Sequence, residues 1–508
     1  MVSTGHHLAT LAGLDILAQG GNAVDAAVAA GAVACVVLPH ACGIGGDAFA
    51  IGFDARRNRV WVLNASGKSP QLARPDCFVN GIDAEDVTSA TVPGIIHGYA
   101  SVLRRYGTRS LRQALSPAIE HADKGFIIND VLGNLIAANS EKLRKHPRSW
   151  EMFFPDGRPL RKGDTLRQHA LAGSLKEIAK EGIRSIYGGS IAKEICRYVE
   201  NVGGFLRSID FSKHQSRWEE SPVASSYYGY EVCVPPPNSL ALLLLVQLQL
   251  IASVGVDRMS HNSVEYLQAL VQAKRLAFSK VLPLLADPDH MTVKPQKIVS
   301  HAYVKALKTG ESPANTLVPE TPDTTTVTVV DSQGNCVSLI QSVFHHFGCG
   351  AVAGRTGILL NNRMSGFSLD PDSPNCVQGA KRPAHTLSPA IVLKKRKPYL
   401  VIATPGAYAQ TQTLCQVLNN VLVYNMEIQQ ALEAPRWFDD VNDVLLCENR
   451  IDTRVLAALE NQHYAVRVGD AWEAQTGSVQ AILIQGAGKG RVFYGAADPR
   501  RHGCALGW

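Results

Sequence analysis

Thr324 and Ser342 are the two hydroxyls whose setting in the chain could do chemistry. Thr324 opens the run Thr324-Thr325-Thr326-Val327-Thr328-Val329-Val330, which is wholly β-branched and suits a pleated strand. Asp331-Ser332-Gln333-Gly334-Asn335 is a cluster of turn formers, and Cys336 to Phe344 then alternates apolar and polar residues. The pattern predicts a β-hairpin. If Val330 faces Cys336 across the turn, Thr324 faces Ser342, with Cβ atoms roughly 5 Å apart. A threonine within a chain is a poor nucleophile because nothing removes its proton. Cut just before it, its own α-amine can serve as the base. The bond to cut is Asp323-Thr324. The bland alternative is a threonine-rich strand with no chemistry at all.

The stretch Thr324 to Asp331, with Gly334-Asn335 after it, resembles the "TTHxSVVDxxGNAVS" segment of the gamma-glutamyltranspeptidase family. Further likenesses follow in order along the chain. Leu8 to Ala30 is similar to the family's opening signature, and Pro39-His40-Ala41-Cys42-Gly43-Ile44-Gly45-Gly46-Asp47-Ala48-Phe49 to "PHssGiGGggF". Val92-Pro93-Gly94, Val234 to Ser239, Gly357 to Asn362 ("GILLNN"), Lys381 to Ala390, Ile402 to Tyr408, Gly477 to Ala481 and Gly495 to Arg500 match later motifs. The resemblance implies an α+β fold, the N-terminal-nucleophile hydrolase αββα four-layer sandwich. It also implies a proenzyme that cuts itself at Asp323-Thr324 into a large subunit, 1–323, and a small subunit, 324–508, in one intertwined catalytic domain. A further pairing of two such heterodimers is left open.

The resemblance assigns roles to further residues. Thr324 is the nucleophile, and Ser342 steadies it or serves in self-cleavage. The N–H groups of Gly406 and Ala407 form the hole for the tetrahedral oxyanion. The substrate pocket departs from the glutamyl pattern. Ser66 stands where an arginine holds the donor carboxylate, and a serine cannot make that bidentate pair. Arg363 and Gly366 replace groups that bind the donor ammonium. His385 and Thr386 replace paired serines, and Thr326 replaces a histidine. Arg363 in that corner should attract a carboxylate, unless it pairs with a structural acid. His385 reads equally as an anion donor and as a satisfied buried histidine.

These departures resemble the amidohydrolase and acylase branch, which acts on oxamate-like or glutaryl-type amides. The expected function is therefore hydrolysis of an amide with an acidic acyl group through a Thr324 acyl-enzyme. Glutathione hydrolysis or γ-glutamyl transfer is the enzymatic alternative. An uncleaved binding or scaffold protein is the alternative from another class. The expected partner is a small-molecule amide, with no cofactor and no metal.

Composition bounds the rest. The chain has 508 residues, 46% hydrophobic and 19% charged, which fits a globular protein with a large core. The net charge of +6 is small for this length, and the one basic run, Lys394-Lys395-Arg396-Lys397, reads as a hairpin tip, so no nucleic-acid partner is expected. Eleven cysteines lie scattered without CxxC spacing, which fits reduced buried thiols and a cytoplasmic location. Met1 to His7 has neither a basic nor an apolar leader region. The run Leu240 to Val254 is too short to span a bilayer and reads as a buried helix, so no membrane association is expected. Residues 289–320 are polar and proline-containing, and read as a flexible leash ahead of the cleavage point.

Overall fold

The structure, a computed structural model, describes residues 1–307, 322–486 and 488–508. The expected leash, 289–320, lies over 308–320 outside the described residues, and over 289–307 it is not a leash but carries the short helices Pro295–Ile298 and His301–Leu307. Among the described residues, two antiparallel sheets form the middle of the molecule. The first has seven strands in the spatial order Cys504–Leu506, Val2–Thr4, Pro322–Val330, Cys336–His345, Asp47–Asp54, Arg59–Ala65 and Arg217–Glu219. The second has six: Val492–Ala497, Gln480–Gln485, Lys397–Ala403, Ala390–Lys394, Tyr230–Val234 and Val223–Tyr227.

Side-chain alternation sorts each strand into two faces. In Pro322–Val330, Val327 and Val329 join a core shared with the helices, while Val330 joins Ile51, Phe53, Ile391, Val401 and Ile482 between the sheets. Ile51, Ile391, Val401 and Ile482 are wholly buried there, each stabilising the sandwich by roughly 1.5–3 kcal/mol. Thr324, Thr326 and Thr328 share the parity of Val330 and therefore face the second sheet. Helices cover the outer faces, Ala23–Val37 on the first sheet and Leu242–Ala252 with Ala409–Leu422 on the second. The result is the four-layer αββα sandwich of N-terminal-nucleophile hydrolases.

Local signals explain the main elements. Asn22 and Asp25 close a reciprocal capping box that starts Ala23–Val37, and that helix is buried along its full length. The apolar run after Leu240 becomes the buried helix Leu242–Ala252, and no described helix is long and apolar enough to cross a membrane. Lys395 and Arg396 take left-handed φ values of 50° and 62° and form the two-residue tip joining Ala390–Lys394 to Lys397–Ala403.

The hairpin keeps the expected register from Cys336 opposite Val330 to Gln341 opposite Thr325, and then slips. Beyond a bulge, Phe344 faces Asp323. Ser342 is thus not squarely opposite Thr324, as the simple register has it. Its Oγ accepts the Phe344 N–H at 2.7 Å, Phe344 adopts φ 84°, and one residue is absorbed.

The loop Gly43–Gly46 lies against this bulge. A Cβ on Gly46 would sit 2.2 Å from the Ser342 carbonyl oxygen, so the glycine is what lets the loop approach. Gly46→Ala should cost about 1–3 kcal/mol through overpacking. Gly173→Ala, in helix His169–Glu181 with open space around it, should stabilise by about 0.5–1 kcal/mol. Urea-denaturation midpoints of the two variants, measured side by side, check both signs.

Candidate active site

The Asp323-Thr324 peptide is held from both sides. Ser342 Oγ donates to the Asp323 carbonyl oxygen at 2.7 Å, and the Thr324 N–H donates to Asp323 Oδ1 at 2.7 Å. Thr324 and Ser342 are both buried. The bulge makes the first contact possible, because it turns the Ser342 hydroxyl toward the carbonyl rather than toward the Thr324 side chain.

The Asp323 carboxylate is itself enclosed. Arg501 pairs with Oδ1, while His40 Nε2 and His346 Nε2 lie 3.5 and 3.6 Å from Oδ2. Burial alone would raise this carboxyl. The charge of Arg501, the contact with His346 and the charge of His40 together outweigh it and hold the group well below the usual carboxylate range. His40 is also lowered, but for the opposite reason: burial pushes it down to about 4, against the pull of Asp323. The three cationic or donor groups come from separate places. His40 follows helix Ala23–Val37, His346 follows strand Cys336–His345, and Arg501 precedes strand Cys504–Leu506. The Phe347 N–H donates to the His40 carbonyl at 2.9 Å and ties the two histidine segments together. Sequence reading missed all three, since no spacing in the chain links residues 40, 346 and 501.

A second buried cluster adjoins the first. Asp47 stands opposite Ser342 on the neighbouring strand. Its Oδ2 lies 3.5 Å from Arg363 Nε and 3.3 Å from His385 Nε2, and its Oδ1 accepts the Gly67 N–H at 2.7 Å. Arg363 and His385 are fully buried, and the Arg363 guanidinium lies 3.9 Å above the centre of the Phe344 ring. Phe344 is the residue opposite Asp323, so it joins the two clusters. Burial, then the charge of Arg363, pushes His385 down to about 4, although Asp47 pulls it up. At neutral pH His385 is therefore an uncharged ring.

The other sequence-derived positions are placed as follows. Thr326 lies further along the inner face of its strand, buried and paired with Ile340. Thr386 is buried beside His385, and its carbonyl accepts the Ser388 hydroxyl at 2.9 Å. The His385 backbone is stitched to the Pro-rich segment through Asn238 O and the Leu240 N–H, each at 2.8 Å. Ser66 donates to Asn64 Oδ1 at 2.6 Å, and Asn64 Nδ2 donates to Asn238 Oδ1 at 2.7 Å, so Ser66 belongs to a closed amide network. Gly406 and Ala407 follow strand Lys397–Ala403 and precede helix Ala409–Leu422, with φ values of 120° and 46°. Among the described residues, neither of their N–H groups donates to a backbone carbonyl. That strand touches the Thr324 hairpin where Ser338 Oγ donates to Ile402 O at 3.0 Å. Among the described residues no three or more His, Cys, Asp and Glu side chains group so as to hold a metal ion.

Two outcomes follow from the buried charges. Arg363→Ala strands the Asp47 carboxylate and should cost about 3–5 kcal/mol of stability, whereas adding Asp47→Ala should recover part of that loss. Denaturant midpoints of the two singles and the double read the coupling. Acid should also destabilise the fold. His40 and His385 refuse protons down to about pH 4, whereas in the unfolded chain they bind them below about 6.5. Their contribution is complete above that value and drains as pH falls toward 4. Urea midpoints at pH 7.5 and 4.5 measure the loss.

Comparison with known proteins agrees with this architecture. A profile of the family described as Gamma-glutamyltranspeptidase matches residues 9–508. The chain is 35% identical to the glutathione hydrolase-like YwrD proenzyme of Bacillus subtilis (strain 168), over 100% of this chain and 98% of that protein. It is 33% identical to the glutathione hydrolase proenzyme of Escherichia coli (strain K12), over 98% and 90%. Among solved structures it superimposes on a cephalosporin acylase from Bacillus halodurans with a TM-score of 0.93 and 30% identity, covering 100% of this chain and 95% of that one. These relatives are hydrolases and acylases, and several are made as proenzymes. The chain is an enzyme that belongs to the gamma-glutamyltranspeptidase family.

Proposed function

We propose that this chain is a self-cleaving threonine amidohydrolase that acts on small amides with an acidic acyl group. The observation that carries the reading is the grip on the Asp323-Thr324 peptide. Its carbonyl takes the Ser342 hydroxyl, and the nucleophile Thr324 follows directly in the chain.

Self-cleavage begins as Thr324 Oγ attacks the Asp323 carbonyl carbon. Ser342 donates to the oxygen as it gains charge, the C–N bond breaks, and an ester to Thr324 forms. Water opens the ester and leaves Thr324 with a free α-amine and a free hydroxyl. The proposed fragments are 1–323 and 324–508. In turnover the α-amine takes the Oγ proton as Oγ attacks the substrate amide, then passes it to the leaving amine. The N–H groups of Gly406 and Ala407 receive the oxyanion. Water hydrolyses the acyl-enzyme. The acidic-acyl preference is supported by the cation near the nucleophile, Arg501 beside Asp323; Arg363 is paired with the buried Asp47 carboxylate and does not add to it. The free thiols at all eleven cysteines favour a reducing compartment, and the cytoplasm is the proposed location.

A second reading is glutathione hydrolysis or γ-glutamyl transfer, favoured by the names of the two curated relatives. Against it stands Ser66, locked into the Asn64–Asn238 network where that chemistry would want an arginine.

Intact-mass analysis of purified protein should show two fragments, the smaller beginning at Thr324. Thr324→Ala should leave one 54.7 kDa chain with no amidase activity. An uncut, inactive wild-type chain would favour a scaffold instead. Ser342→Ala should slow self-cleavage by about 10²–10³-fold, the usual loss for one oxyanion donor. For the mature enzyme, kcat/KM on acidic-acyl amides should exceed that for glutamate release from glutathione by tenfold or more; the reverse order would favour the second reading.

A further inference from the structure

In self-cleavage and in turnover the same Thr324 Oγ attacks an amide carbonyl. The acyl group of the first event is on the page. It is Asp323, whose carbonyl carbon is separated from its carboxylate by Cα and Cβ alone. In chemical terms the uncut chain presents Thr324 with a substituted succinic monoamide.

The fold has built a receptor for that carboxylate. Arg501 pairs with one oxygen, and the Nε2 atoms of His40 and His346 lie 3.5 and 3.6 Å from the other. Among the described residues, Asp323 is the acid that pairs with these three. None of the three precedes the scissile bond directly, so cutting it removes none of them. It makes Asp323 the free end of the large fragment, which must withdraw before any substrate can reach Thr324. Withdrawal leaves Arg501 and two imidazoles without their anion, and a half-buried guanidinium stripped of its counter-charge is destabilised. A substrate carboxylate restores the balance. Arg501 and His346 keep 25% and 24% of their side-chain surface open, so the box can be entered from solvent.

We propose that His40, His346 and Arg501 form, after self-cleavage, the subsite for the acyl carboxylate of the substrate, and that the preferred substrates are monoamides of four-carbon diacids. This rests on the threonine amidohydrolase reading above and names its acyl group. With the carboxylate in the box, a two-carbon spacer returns the reactive carbonyl to where the Asp323 carbonyl stood. Oxalyl and malonyl groups fall short, and a glutaryl group overshoots. Thr324 Oγ bonds to the acyl carbon, the C–N bond breaks, and the amine leaves with the proton that the α-amine took from Oγ. Water then cleaves the ester to the free diacid and restores the Thr324 hydroxyl. Arg363 has no part in this subsite, since its charge is opposed by Asp47 within the fold.

The test is a homologous series, the 4-nitroanilides of oxalic, malonic, succinic and glutaric acid, with butyric acid as the neutral control, on the matured wild-type enzyme. The expected result is a kcat/KM peak at the succinyl member, at least tenfold above both oxalyl and glutaryl, and competitive inhibition by succinate stronger than by oxalate or glutarate. Arg501→Gln should lower kcat/KM for the succinyl anilide through KM and reduce the succinyl-over-butyryl preference tenfold or more. Should that variant fail to mature, the anilide series and the inhibition series on the wild type still decide. A peak at oxalyl or glutaryl overturns the subsite while leaving the acidic-amide reading intact. Hydrolysis of glutathione with no hydrolysis of any acidic anilide overturns both.

Discussion

One carboxylate has to stay charged inside the protein next to the Asp323-Thr324 peptide. Taking Asp323 out of water costs several kcal/mol, and only close opposite charge and donated hydrogen bonds offset that. The fold meets the requirement by convergence. His40 arrives from the first glycine-rich loop, His346 from the end of the hairpin and Arg501 from the last residues of the chain. Both chain ends are drawn to the same place, because Val2–Thr4 pairs with Pro322–Val330 on one side and with Cys504–Leu506 on the other. The ordering of the first and last strands and the setting of the Asp323-Thr324 peptide are thus one problem with one solution.

The bulge after Gln341 is the second condition. A regular hairpin would set the Ser342 hydroxyl opposite Thr324 and away from the Asp323 carbonyl. Absorbing one residue re-aims the hydroxyl, places Phe344 opposite Asp323, and gives Arg363 an aromatic face to lie on. Gly46 makes room for the displaced backbone. Strain and catalysis meet at this point, since the left-handed φ of Phe344 holds only while the strands on either side hold it.

The altered polarity of the pocket also becomes a local matter of compensation. Asp47 and Arg363 face each other inside this pocket. Here an acid and a base appear together, within 3.5 Å and with no exposure to water. The two charges form one pair, and that pairing accounts for an arginine so far inside the molecule. His385, kept neutral beside them, completes the cluster without adding charge.

Composition and pattern determined much of this protein without help from the fold. The β-branched run and its turn define the Thr324 hairpin, Asn22 and Asp25 start the buried helix, and the Lys394–Lys397 tip joins two strands. Each depends on contacts within a few residues, so local chemistry suffices. The αββα layering was legible through motifs that lie in order over nearly the whole chain. The bulge, the Asp47–Arg363 pair and the box around Asp323 were not. A bulge is chosen by what packs against a strand, and a one-residue slip leaves the hydrophobic pattern of the hairpin readable either way. Ion pairs between residues 40, 323, 346 and 501 carry no period or spacing, because burial makes them strong and burial is a property of the assembled sandwich.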